Sequence, residues 1–230
     1  QDGADEDAAA PEVVDGGAGM LKGALFLTGF SSMAMEVLWT RIYTPFIGTF
    51  VYSFAGILAI YLVSTALGSL VYRRNIRRGG MIRPWSTWHW LCLFSTFSLL
   101  SSAHYLTMPG VLRLIAGVGP FSCVLGFLTP LLVDLYAGKD PKKMAHAYSL
   151  NLLGCVLGPL AAGFVLIPAF GARVTSFLLI APLFLYALLP SVRRIRGTHD
   201  QVVLLILAVF LCAVGTPFES RFPKQNVRHD

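Results

Sequence analysis

Long apolar runs recur along this chain, and no other feature narrows its fold so far. Several exceed the roughly 18 residues that a helix needs to cross about 30 Å of hydrocarbon. Inside a bilayer every backbone amide must be satisfied without water, which leaves helices or a closed barrel. A barrel would be written as short alternating segments, and these runs do not alternate. The sequence therefore predicts an all-α fold, a polytopic transmembrane helix bundle. Composition agrees: of 230 residues, 55% are hydrophobic and 13% charged, with a mean hydropathy of +0.66. A soluble domain would be nearer a quarter charged.

The run lengths place about seven spans, near 20–46, 50–72, 86–107, 120–137, 144–169, 172–190 and 201–216, forming one transmembrane domain over 20–216. Segment 108–119 (MPGVLRLIAGVG) is short and glycine-rich and reads as a loop or an interfacial turn. Residues 1–19 carry six acids and no base; such a stretch buries too little apolar surface to fold alone and reads as an acidic disordered tail or linker. Residues 217–230 read as an extramembrane tail. Trp85, Trp88 and Trp90, beside Arg83, sit where an interfacial aromatic belt is expected.

The net charge of +6 follows the membrane and is not a nucleic-acid signature. Basic residues gather in three short connections: Arg73, Arg74, Arg77 and Arg78, with Arg83; Lys142 and Lys143, with Lys139; and Arg193, Arg194 and Arg196. Seven spans put all three on one side, so the positive-inside rule predicts a cytoplasmic N-terminus. The same groups suit anionic lipid headgroups. Cys92, Cys123, Cys155 and Cys212 lie inside apolar runs without CxxC spacing, which excludes zinc and iron–sulfur sites. No metal or other cofactor is expected.

Polar residues inside the spans are the candidates for function. In GFSSMAMEVLWTR (29–41), Glu36 and Arg41 are about 140° apart around a helix and are poor partners for each other. Glu36 falls on a stripe with Gly29, Ser32, Thr40 and Tyr43, and must face the bundle interior or a polar cavity, because a charge exposed to lipid is costly. The second span carries a small-residue stripe of Ser53, Gly56, Ser64 and Gly68. The fifth carries Tyr148, Asn151, Gly154, Gly158 and Ala162, with a GxxxG step that lets backbones approach closely. Pro130 and Pro159 are expected to open their helices locally. Asp134 is placed to pair with Lys142 or Lys143, and His104 to pack near a helix end. P-loop, Rossmann, HExxH and GxSxG motifs are all missing, so these residues carry no catalytic signature.

Two blocks bear a resemblance. The stretch GFSSMAMEVLWTRIYTPFIGTFVYSFAGILAIYLVSTALGSLV resembles the opening of the membrane region of bacterial major-facilitator-like, spermidine synthase-like fused proteins. The block LGFLTPLLVDLYAGKDPKKMAHAYSLNLLGCVLGPLAAGFVLIPAFG is similar to the same family's proline-containing helix, Tyr-x-x-Asn-x-x-Gly-x-x-x-Gly helix and Leu-x-Pro-x-x-Gly turn. The resemblance implies a bacterial inner-membrane module, preceding a soluble aminopropyltransferase-like domain whose glycine-rich loop and paired aspartates do not occur here. On that reading FESRFPKQNVRHD leads toward such a domain. The expected role is to anchor a soluble partner or domain and to bind a small cationic substrate through Glu36, Asn151 and Asp134. The alternatives are a structural subunit of a larger membrane complex and a half-facilitator-type transporter.

Overall fold

A computed structural model describes residues 15–79, 84–101 and 109–193. Its elements are α1 (Asp15–Ile47), α2 (Phe50–Arg77), α3 (Pro84–Ser101), α4 (Gly110–Ala137), α5 (Pro141–Leu160), a π-helical turn (Ala161–Leu166) and α6 (Ile167–Arg193). All are helical. Four helical stretches are long and apolar enough to cross a membrane: Ala18–Ile47, Phe50–Arg77, Gly110–Ala137 and Pro141–Tyr186. These are the long apolar helices of an integral membrane protein. The tail before residue 15, the span expected at 201–216, the segment 217–230, and His104, Arg83, Arg194, Arg196 and Cys212 lie outside the described residues.

The last of the four stretches is not one rod. Asn151 reaches Leu25 of α1, and Tyr186 lies against Gly23, two residues away on the same helix. A straight helix from 151 to 186 would run about 50 Å, so the chain must reverse between them. It does so at Gly171, whose φ of 75° and ψ of 165° are accessible to glycine alone. The break expected between 169 and 172 is therefore set by one glycine in IPAFGAR. The π turn follows directly on Pro159, where the helical ladder already lacks a donor.

Two helix pairs form the frame, and both run parallel. Along α1 and α5, Gly154 sits on the backbone of Phe26 and Phe30, and Gly158 on that of Phe30 and Ala34. Along α2 and α4, Gly68 sits on Cys123 and Phe127, and Gly126 on Thr65. A methyl group at any of these four positions would overlap a carbonyl oxygen of the facing helix. Without a hydrophobic force between helices in lipid, such close approach is what holds them.

Three parts of the sequence reading need correction. Residues 110–119, read as a loop, are the first turns of α4; their glycines Gly117 and Gly119 are buried against neighbours rather than freed for a turn. The fifth helix begins at Pro141, because the Asp140 side chain accepts from the Lys142 N–H at 2.8 Å, a standard N-cap ahead of a first-turn proline. Trp88 is no belt residue: it is buried, donates from Nε1 to the Leu183 carbonyl at 2.9 Å and packs on Tyr186. Trp90 is the exposed one.

The ends of the helices sort cleanly. Lys22 of α1 lies over the Tyr136 ring near the end of α4, and Trp39 meets Phe121 nearer the other end, so these two helices are antiparallel. Trp39 and Tyr43 donate to Ser98 near the end of α3, at 2.6 and 3.2 Å. One face of the bundle thus collects the start of α1, the end of α2, the end of α4 and the start of α5.

Candidate functional site

A cavity of about 320 Å³ lies at the seam between the two pairs. From the first pair, Thr28 and Ser32 of α1 line it, with Tyr148, Asn151 and Cys155 of α5. From the second come Tyr61, Thr65 and Ser69 of α2, and Leu125, Gly126, Thr129 and Pro130 of α4. Each helix supplies its polar groups in steps of three or four residues, so each presents one face to the same space.

The proton count of this lining decides its chemistry. Four hydroxyls spend their protons within their own helix: Thr28 on Leu25 O and Ser32 on Gly29 O, both at 2.9 Å, Thr65 on Tyr61 O at 2.9 Å and Thr129 on Leu125 O at 3.0 Å. A hydroxyl that donates to its backbone keeps only lone pairs for the cavity. Ser69 donates across the pair to Gly126 O at 2.9 Å. That carbonyl would have accepted from residue 130, but Pro130 has no N–H to give. Ser69 takes the place of the missing donor, and α4 runs on through Pro130 as one helix.

Asn151 is committed in the same way. Its amide nitrogen donates to Leu25 O at 2.9 Å and Thr28 Oγ1 at 3.2 Å, leaving its carbonyl oxygen beside the Cys155 thiol. The residue singled out as a ligand is thus also a clamp between α1 and α5. Its donors are used, and its oxygen accepts from the Cys155 thiol at 3.9 Å with one lone pair to spare.

The two acids stand beyond the ends of the cavity. Glu36 is one turn from Ser32 on the same face of α1, is half-buried, and lies close enough to Tyr61 to act on it electrostatically. Among the described residues its carboxylate has no hydrogen-bond partner. At the opposite end Asp134 accepts from the Tyr72 hydroxyl at 2.5 Å. It is held by α2 rather than by Lys142 or Lys143, which are exposed on α5. Tyr61 and Tyr72 are eleven residues apart on one helix, so the acids flank a column of about 16 Å.

The small residues placed by sequence all lie between elements of this chain. Gly56 faces Leu114, Ser64 faces Gly119, and Ala162 is buried in the π turn. Gly68, Gly154 and Gly158 carry the helix pairs described above. Arg73, Arg74, Arg77 and Arg78 are exposed at the end of α2; Arg193 closes α6.

Sequence reasoning missed the α2 side of the cavity. Tyr61, Thr65 and Ser69 recur every four residues in an apolar run, a signal as clear as the neighbouring Ser64–Gly68 stripe and one residue out of phase with it. It also missed Arg113, which is 3% exposed with its guanidinium 4.1 Å over the Phe46 ring. Arg113 fell in the segment read as a loop, where a charge needs no burial.

No protein-family model, curated protein or solved structure matches the chain.

Proposed function

We propose that this chain is the membrane module of a spermidine synthase-like protein, anchoring a soluble partner or domain and binding a small cationic substrate in the seam cavity. The observation that carries the reading is the proton count: Thr28, Ser32, Thr65, Ser69, Thr129 and the Asn151 amide have spent their donors, so the lining, the Tyr61 and Tyr148 hydroxyls apart, offers mainly oxygens. An ammonium group brings the donors that such a lining lacks. Glu36 supplies compensating charge at one end and Asp134 at the other. In this reading the chain crosses a bacterial inner membrane seven times, with 201–216 as the last crossing. Its basic connections and N-terminus face the cytoplasm.

Cys155 makes the reading testable without knowing the substrate. In full-length protein with Cys92, Cys123 and Cys212 replaced by Ser, Cys155 should react faster with a cationic than with an anionic methanethiosulfonate. A ratio of at least about tenfold is expected after normalisation to free thiol. A simple diamine should slow the cationic reagent, and Glu36→Gln should narrow the ratio. Equal rates for the two reagents would sink the cation site.

The subunit reading drew on glycine faces that would grip other proteins. Those glycines are occupied by helices of the same chain, which removes its main support. The half-facilitator reading has no separate observation in its favour.

A further inference from the structure

The seam cavity has an open side. Its floor is made by α1 and α4, whose Thr28, Ser32, Leu125 and Gly126 are buried. Its walls are α2 and α5, and these are less covered. Tyr61, Thr65, Ser69, Asn151 and Cys155 are half-buried, and Tyr148 is 53% exposed. Helix α2 packs along α4 and α5 along α1. Among the described residues the two walls do not pack along each other. The cavity therefore opens sideways, between α2 and α5.

That opening lies at the depth of the lipid tails. Thr65 is eight residues from Arg73, the first exposed arginine at the end of α2, and Asn151 is eight residues from Lys143 at the start of α5. Eight helical residues rise about 12 Å, within a hydrocarbon core of about 30 Å. The two rims are built alike. Around α2, Gly68 faces α4, the cavity residues come next, and Leu62 lies one step beyond Tyr61. Around α5, Gly154 faces α1, the cavity residues come next, and Leu152 lies one step beyond Asn151. Leu62 is 55% exposed and Leu152 63%. Oxygens inside and leucines at the rim suit a molecule divided in the same way.

We infer that this opening is a lateral portal and that the ligand of the cavity is a membrane amphiphile, a long-chain primary amine. Its ammonium head enters the cavity, and its hydrocarbon tail stays in the bilayer across Leu62 and Leu152. The inference rests on the cation reading of the cavity and adds to it the ligand's tail and its route. Leucine is no greasier than a lipid tail, so the rim gives the tail passage rather than affinity. Selectivity comes from the head, which is costly to bring to this depth unless acceptors and the Glu36 charge receive it. A zwitterionic phospholipid suits the site less well, because its phosphate brings further acceptors to hydroxyls whose protons are spent.

The test uses full-length protein in phosphatidylcholine nanodiscs, with Cys92, Cys123 and Cys212 replaced by Ser. Cys155 is modified with methyl methanethiosulfonate, a neutral reagent that does not respond to surface charge from added amine. Dodecylamine near saturation should slow the modification at least about fivefold, and dodecanol at the same mole fraction should leave it unchanged. A dodecylamine carrying a diazirine midway along its tail should attach at Leu62, Leu152 or a residue one turn from either. Unlabelled dodecylamine should suppress those adducts. If a simple diamine protects Cys155 while dodecylamine does not, the portal is overturned and the cation site stands. Adducts that unlabelled amine cannot suppress also overturn the portal. Dodecanol protecting as well as dodecylamine would make the groove an apolar slot and overturn the amine. Protection by neither amine overturns the portal and the cation site together.

Discussion

Ser69 and Pro130 are matched across two helices: one lacks a donor, and the other supplies it to the carbonyl left over. Ser69→Ala should cost about 1 kcal/mol in thermal unfolding, because it strands the Gly126 carbonyl. In a Pro130→Ala background the same substitution should cost almost nothing, since residue 130 regains its N–H. Equal costs in both backgrounds would show that Ser69 does not serve that carbonyl. Asn151→Leu removes two donors from the α1–α5 contact and should lower stability by about 1–2 kcal/mol; a residue serving a ligand alone would leave the melting temperature of the empty protein unmoved. Glu36→Gln is expected to keep or raise that temperature, because a half-buried carboxylate without a hydrogen-bond partner gains nothing from its charge. A drop would mark Glu36 as structural.

At the scale of elements, the glycines between paired helices act as spacers, whereas Gly171, like Gly48, Gly79 and Gly138 at helix ends, takes a positive φ. Gly154→Leu or Gly158→Leu would force α1 and α5 apart along their contact and should cost about 3 kcal/mol, read as loss of folded protein in size-exclusion after gentle heating. Gly171→Ala strains a backbone conformation that only glycine adopts freely, at a cost of about 1–3 kcal/mol, without touching the cavity. The helices themselves were legible from run length and composition, and the break near 170 from the glycine in IPAFGAR. The start of α4 was not, because GVLRLIAGVG looks like a loop until its glycines are seen to be packing surfaces. Nor was the burial of Trp88, whose place depends on α6 folding back to offer the Leu183 carbonyl.

For the whole molecule, the sorting of helix ends makes a direct topological prediction. Cysteines introduced at Gly79 and Lys142 should be labelled by impermeant maleimide from one side of sealed vesicles, and one at Thr49, between α1 and α2, from the other. Labelling of Gly79 and Lys142 from opposite sides would contradict the parallel pairing of α2 and α4.

Sequence alone determined that this chain is a helical membrane bundle, since apolar length admits few alternatives in a medium that satisfies no backbone amide. It also placed Glu36 and Asn151 on interior faces, because a polar group in lipid has few tolerable directions to point. Tertiary structure decided the rest. Whether Thr28, Ser32, Thr65, Ser69 and Thr129 are scattered hydroxyls or one acceptor-lined cavity depends on which helices are neighbours. Helix pairing depends on backbone approach at a few glycines, and sequence periodicity says which face is small but not which helix will fill it.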